Sequence, residues 1–441
     1  MIKKYLVVFF TLALSLPLCA EKVKVRIFSA TKITQAVLSF DVGRFVVCDP
    51  LGTPISDTLD LNRSVEVRVQ NGKVWVAANS YELGVYDKIS IVSVDSASLF
   101  CINPSGKKQR TYEGNVFVKV LKNNSLEFVT EVDFETYISG VVQSEIYGKP
   151  DQTDIFRVQA IISRTWALRN RNKHKNDGYN FCDDVHCQAY YNRCIRPEIV
   201  FGTLQSVGEV LVDKDGKPID TPFHSNSGGQ TANSEDVWSA KVPYLRSVPD
   251  TFSYRMKQSV WKRELTKNEW LGYFAKKHKL NTSDSAVCDE LLNFRQDERK
   301  TRIANIPLTR IRTDFKLKST FFSVTTDGNK VILNGKGFGH GVGLSQEGAI
   351  RMVTLGYKYQ EILMHYYTGA IIYRDMDIVE PRYMAYTTEL KKIIEEDKKA
   401  TSVQKDSKGL EKLFSKKERE EREEIYVEEE QESDSDWDYD W

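Results

Sequence analysis

The chain has 441 residues, 41% hydrophobic and 11% aromatic, enough to bury one large core or two moderate ones, which excludes a wholly disordered protein. Its formal net charge of +1 hides an asymmetry: Glu418 to Trp441 hold thirteen of the 61 acids and two of the 62 bases, Arg419 and Arg422, leaving +12 on the rest. A basic body with an acidic end admits nucleic acid, an anionic polymer or a tail folded on its own surface; solvation is the commonest of these, and no nucleic-acid partner is expected.

Lys3 and Lys4 precede an apolar run from Tyr5 to Leu18, followed by Cys19, Ala20 and a charged segment from Glu21. Residues 1–20 therefore read as a signal peptide or membrane anchor, and the protein is expected to be exported to the periplasm or cell envelope, meeting the membrane only through that segment. Cleavage after Ala20 ranks above retention as an anchor because the run is short for a span. A lipoprotein box at Cys19 ranks third, since Leu18 is large where such a box needs a small residue. The cysteines that follow, Cys48, Cys101, Cys182, Cys187, Cys194 and Cys288, are too sparse for a disulfide framework, although Cys182, Cys187 and Cys194 lie close enough in sequence to pair.

From Lys22 to about Val132 the apolar period is two: Val65, Val67 and Val69 share a face, Asn71-Gly72 makes a turn, and Val74 and Val76 return. Residues 21–130 are thus expected to form a β-rich N-terminal region. Near Asp133, a candidate cap, the period changes to that of a helix with Tyr137, Val141 and Val142 inward, ending around Glu145. A second helix, from about Asp154 to Arg169, turns Ile155, Val158, Ile162 and Trp166 inward and places Arg157 and Arg164 on another face. Two adjacent helices then bring a carboxylate and an arginine within reach of each other.

Strands are expected around Glu209 to Val212 and Pro222 to Ser225, before Ser227-Gly228-Gly229. The stretch from Asp250 to Arg312 is charged and partly helical. A hairpin, Phe321 to Thr326 and Lys330 to Leu333 about Asp327-Gly328-Asn329, leads into GKGFGHGVGLSQEGA, where Ser345 can cap a helix stopping at Gly356; EILMHYY reads as a further short helix. From about Arg382 the composition becomes Lys, Glu and Arg, which predicts a charged helical to disordered tail over 382–441.

Two motifs carry chemistry on residue type alone. His174, Cys182, His186 and Cys187 offer four soft ligands in a short span, a set that suits tetrahedral zinc, with a disulfide or plain thiols as the competing states. The glycines at 337, 339, 341 and 343 suit close approach of backbone to backbone or sugar; a phosphate loop would need the lysine and strand-loop-helix order that this segment lacks.

The segment YISGVVQSEIYGKPDQTDIFRVQAIISRTWAL resembles the signature of the SpoIID family. FCDDVHCQAY, FHSNSGGQTANSEDVWSAKVPYLRSV and GFGHGVGLSQEGAIRMVTLGYKYQEILMHYYTGA follow in the family's order, so the likeness runs from about Glu131 to Gly369. It implies an α+β protein in which the β-rich part joins a mixed α/β catalytic core over 131–381. It further implies a peptidoglycan lytic transglycosylase that cleaves between N-acetylmuramic acid and N-acetylglucosamine in strands denuded of stem peptides, working beside an N-acetylmuramoyl-L-alanine amidase. On this resemblance Glu145 is the catalytic acid, and Gln159, Arg164, Gln188, His224, Ser227, His340, Ser345 and Gln346 fall on the family's pattern around the glycan cleft. Ion pairing of Glu145 with Arg164 is the bland alternative. No cofactor is required, but some members hold a zinc with residues like His174, Cys182, His186 and Cys187, and its role would be structural. Relatives of the LytB type imply the alternative of a non-catalytic glycan-binding amidase activator. The chain departs from the family in having Ile146 and Tyr147 where methionine and proline usually follow the glutamate.

Overall fold

The computed structural model describes residues 21–375 apart from residue 96; the signal segment and the tail from 382 lie outside the described residues. The fold is α+β. Two six-stranded antiparallel sheets open the chain. One runs, in spatial order, Lys22–Ile27, Leu126–Asp133, Asn115–Val120, Lys88–Ser93 and Phe45–Cys48, with the short strand Phe181–Cys182 added in parallel beside Lys22–Ile27. The other runs Tyr81–Tyr86, Lys73–Ala78, Ser64–Gln70, Gln35–Val42, Leu99–Pro104 and Arg110–Glu113.

The alternation seen in the sequence is the cause of this packing. Val65, Val67, Val74 and Val76 are fully buried, and the hairpin closes in the register Val67↔Val76 and Val69↔Val74. Asn71 and Gly72 both take positive φ, the conformation a two-residue turn of matching twist demands. Phe40, Phe45 and Phe100 fill the space between the sheets, Phe40 stacked on Phe45 at 4.5 Å.

The last long strand leads directly into α1 (Phe134–Glu145), and seven residues later α2 (Thr153–Asn170) begins. Both start and stop within a residue or two of the sequence expectation. Asp133 stands at the N-cap position in extended backbone, but its side chain makes no cap hydrogen bond. Tyr137, Ile138, Val141 and Val142 bury completely, each contributing about 1.5–3 kcal/mol, and face Ile155, Val158, Ile161 and Ile162 of α2, while Trp166 is only partly covered. Helices α3 (Pro197–Gln205), α4 (Ser234–Trp238), α5 (Lys267–His278), α6 (Ser285–Leu292), α7 (Leu308–Asp314), α8 (Gln346–Thr354) and α9 (Tyr359–Tyr366) follow. Among the described residues no helix is long and apolar enough to cross a membrane.

One continuous apolar cluster runs from the two sheets through α1, α2, α3, α8 and α9. A second, smaller core belongs to residues 260–336. There the strand Val260–Thr266 pairs along its whole length with Lys330–Lys336, which also pairs with Phe322–Asp327, and α5 to α7 cover the sheet with Trp270, Phe274, Leu291 and Ile311. The charged stretch from Asp250 to Arg312 is therefore a packed unit rather than a connecting region. Its hairpin is tighter than the sequence suggested, with Asp327 paired to Lys330 and only Gly328-Asn329 in the turn.

Candidate active site

The last turn of α1 is fastened to the segment 188–195 by three successive side chains. Gln143 Nε2 donates to the Arg193 carbonyl at 3.3 Å, and its Oε1 accepts from the Ile195 N–H at 2.8 Å. Ser144 Oγ accepts from the Tyr191 N–H at 3.2 Å. Glu145 Oε1 accepts from the Ala189 N–H at 2.7 Å. Gln346, the first residue of α8, donates from Nε2 to the Glu145 carbonyl at 2.7 Å and so joins the helix end to the glycine-rich segment.

These contacts give Glu145 an unusual environment. Crowding by protein removes water from the carboxyl and pushes its pKa up to about 7, an effect the Ala189 hydrogen bond opposes but does not cancel. Among the described residues none forms an ion pair with it or a hydrogen bond to Oε2, and the residue keeps part of its surface in solvent. A carboxyl that is dehydrated, neutral near pH 7 and still reachable can deliver a proton.

The arginine expected beside it lies elsewhere. Arg164 is fully buried and pairs bidentately with Glu135, Nε to Oε1 and Nη2 to Oε2 at 2.7 Å each, while Nη1 donates to the Glu209 carbonyl at 2.9 Å. The two helices do bring an arginine to a carboxylate, but that carboxylate is Glu135, in the first turn of α1, ten residues and about 15 Å of helix from Glu145. Arg164 thus locks α1 to α2 and cannot touch a ligand. Arg157 turns instead to Glu209 and the Tyr359 hydroxyl.

Five other positions expected at a glycan are enclosed at 4% exposure or less. Gln159 donates to Ser163 Oγ, and Gln188 bridges the Tyr137 hydroxyl and the Ser163 carbonyl behind Ala189. Ser227 Oγ donates to Asp250 at 2.7 Å, Asp250 also accepts from the Tyr366 hydroxyl, and Ser345 Oγ accepts from the Ser227 N–H and caps α8 at the Gly348 N–H. His224 lies behind His340, its Nδ1 3.2 Å from the Val342 carbonyl. These residues support the site from within; Glu145, His340 and Gln346 keep solvent contact. His340 Nδ1 accepts from the Val342 N–H, and burial first, then the charge of Arg312, hold its pKa down to about 3.

The glycines explain how the segment closes on its neighbour. A Cβ at Gly343 would sit 2.1 Å from the Pro222 carbonyl oxygen, and one at Gly339 2.6 Å from His224 Cβ, both at positive φ. Only glycine allows 339–345 to lie against 222–228, where Phe223–His224 pairs in parallel with Leu344–Ser345.

His174, Cys182, His186 and Cys187 converge, their ligand atoms all within 4.8 Å of one another. His186 Nδ1 is 3.6 Å from Cys182 Sγ and 3.9 Å from Cys187 Sγ, close to the roughly 3.3–3.8 Å ligand separations of tetrahedral zinc. His174 Nε2 is enclosed without a hydrogen-bond partner, while its Nδ1 meets Asp177 Oδ2 at 2.9 Å, the orientation of a metal-binding histidine steadied from behind. The hydrogen bond from Cys187, outweighing burial, and then His186 draw the Cys182 thiol well below its ordinary value. The residues fit zinc. Among the described residues no cysteine is in a disulfide, and Cys194 Sγ points to the Arg196 carbonyl.

Sequence reasoning missed the Ala189 N–H, Glu135 and Asp250. A backbone donor leaves no mark in a sequence, and a single acid in a helix or loop does not announce its partner.

Fold and site together define an α+β protein built around one dehydrated, reachable carboxyl at a helix end. Residues 122–205, from the strand entering α1 to the end of α3, match the SpoIID family, described as Stage II sporulation protein. Stage II sporulation protein D of Bacillus amyloliquefaciens is 26% identical over 310 residues, covering 64% of this chain and 85% of that one. An uncharacterised protein of Brachyspira hyodysenteriae is 29% identical over 265 residues, covering 57% and 69%. The amidase enhancer of Bacillus subtilis is 25% identical over 289 residues, 53% of this chain and 40% of the enhancer. Residues 122–205 thus carry the SpoIID domain, and the chain is similar to proteins of that family over more than half of its length.

Proposed function

We propose that this protein is an exported peptidoglycan lytic transglycosylase of the periplasm or cell envelope, acting in cell-wall remodelling. It cleaves the bond between N-acetylmuramic acid and N-acetylglucosamine, in strands denuded of stem peptides, and leaves 1,6-anhydro-N-acetylmuramic acid ends. The family relationship supports a cell-wall-related role; the observation that carries the chemistry is the Glu145 carboxyl, raised to about 7, with Oε2 open.

In this reading Glu145 donates its proton from Oε2 to the glycosidic oxygen as the bond to the anomeric carbon breaks. The C6 hydroxyl of the same muramic acid then bonds to that carbon and returns its proton to the carboxylate, so the glutamate ends as it began. An internal hydroxyl held in place has an effective concentration that water cannot match, and a second carboxylate is unnecessary. The Ala189 N–H stabilises the carboxylate while the proton is away, and Gln346 fixes the helix end that carries it.

His174, Cys182, His186 and Cys187 would hold a zinc with all four positions filled by protein, which supplies rigidity and leaves no place for an activated water. That rigidity matters to Glu145, because Cys187 is two residues from Ala189.

A second reading, a glycan-binding activator of an N-acetylmuramoyl-L-alanine amidase, is favoured by the likeness to the protein named amidase enhancer. Glu145→Ala separates the two: loss of anhydro products with glycan binding retained supports the enzyme, whereas unchanged stimulation of an amidase, with no product from either form, supports the activator.

A further inference from the structure

The chemistry above leaves a second group of charged side chains unused, where the 260–336 unit meets the main body. Arg299, Lys300 and Arg312 lie there, and among the described residues none has a carboxylate within ion-pair distance. Arg299 is committed to holding the fold: Nε donates to the Gln230 carbonyl and Nη2 to the Ser227 carbonyl, both at 2.6 Å, and its guanidinium packs on Gly341. Arg312 is anchored only through Nε, which donates to the Leu317 carbonyl at 3.2 Å. Among the described residues its two terminal nitrogens have no hydrogen-bond partner, and neither is walled off from solvent.

A half-open recess of about 290 Å³, including its mouth, is lined by Arg299, Lys300, Leu308, Thr309 and Thr320. Its enclosed floor has room for no more than about one water molecule, so a ligand would sit at its mouth. Asp236 also lines it, engaged at 2.9 Å by Asn233. Arg312 stands one helical turn beyond Leu308 and Thr309, on the same side of α7. His340 links this corner to Trp238, whose ring, 45% exposed, lies 4.9 Å from the imidazole. Burial first, and then the nearby charge of Arg312, hold Arg299 down to about 10.

Two guanidinium groups kept close, partly dehydrated and without an ion pair, with Asp236 compensating Arg299 only in part, are costly to the folded state, and a bound anion offsets that cost. A planar fork with both terminal nitrogens open matches a carboxylate, and an exposed indole offers an apolar face to a sugar ring. We propose that Arg312, with Arg299 behind it and Trp238 alongside, forms a subsite for the lactyl carboxylate of a muramic acid residue that carries no peptide. The inference rests on the glycan reading above and names the group by which bare strands are recognised. The subsite connects to the acid through Ser227, whose carbonyl holds Arg299 and whose N–H donates to Ser345, the neighbour of Gln346.

The test uses the full chain with Glu145→Gln, so that no strand is cut. Binding is measured to peptide-free glycan and to the same glycan with its lactyl carboxylates reduced to alcohols. The reduced glycan is expected to bind about tenfold more weakly, and Arg312→Gln to bring the two within about twofold while leaving the weaker affinity unchanged. Arg312→Lys keeps the charge but not the fork and should restore only part of the difference; melting curves confirm that each variant folds. Equal binding of the two glycans, or a difference that survives Arg312→Gln, overturns the subsite. Because cleavage is absent throughout, failure here leaves the Glu145 chemistry standing, and failure of that chemistry leaves this comparison intact.

Discussion

Glu145 Oε1 accepts the Ala189 N–H at 2.7 Å, and this contact ties the end of α1 to a segment whose other end carries Cys182, His186 and Cys187. The carboxyl is held by a backbone dipole rather than by a cation, so it keeps the raised pKa that an arginine partner would have abolished.

The pH dependence follows from that difference. Proton donation requires the neutral carboxyl, so kcat/KM is expected to fall as pH rises through about 7, the value to which burial brings Glu145. Stability moves in the same sense: the folded state binds this proton more tightly than the unfolded chain, so the group's stabilising contribution is present below about 4.5 and is lost as pH rises through 7. Glu145→Gln should therefore be more stable than the parent at pH 8, with the gap closing below pH 5. Denaturant unfolding at the two pH values measures it, and a constant gap would contradict a raised pKa.

Arg164 is expected to govern stability and not binding. Replacing it with leucine leaves Glu135 buried and unpaired, which costs about 3–5 kcal/mol, and changes glycan affinity only through the folded fraction. Melting and binding measured on the same samples decide this; a stable variant with weakened binding would return Arg164 to the ligand.

Gln346→Ala frees the end of α1 without touching a core. A misplacement of about an ångström in a proton donor lowers the rate by up to roughly a hundredfold, so kcat should drop strongly with the melting temperature nearly unchanged. Steady-state kinetics on peptide-free glycan, paired with a melting curve, test it.

Chelation, or Cys182→Ser with Cys187→Ser, should lower the melting temperature and activity together, since a zinc held there would brace the segment that presents Ala189 to Glu145. Activity lost well before any change in melting would make the metal catalytic and displace Glu145 from its role.

Much of the fold was legible because its signals are local. Val65, Val67, Val74 and Val76 announce their hairpin by alternation, and Tyr137, Val141 and Val142 announce α1 by spacing. The 260–336 unit was not legible, because α5 buries only Trp270 and Phe274 among lysines and other polar residues, and its sheet pairs Val260–Thr266 with a strand some seventy residues away. At the site, the family resemblance pointed to Glu145, and residue types alone to the histidine and cysteine cluster. Whether a matching residue faces the ligand or the interior depends on burial across the whole body, and there Arg164, Gln159, Gln188, His224, Ser227 and Ser345 proved to be interior. Arg157 and Arg164 share one helical face by spacing, and spacing alone does not show that Glu135 pairs with one of them in the interior.

The central claim is tested most directly by digesting peptide-free glycan with the purified protein and weighing the sugar ends by mass spectrometry. Ends lighter by one water than the reducing sugar, about 18 mass units, are the expected result, because ring closure by the C6 hydroxyl replaces hydrolysis. Reducing ends, or intact strands, would contradict it.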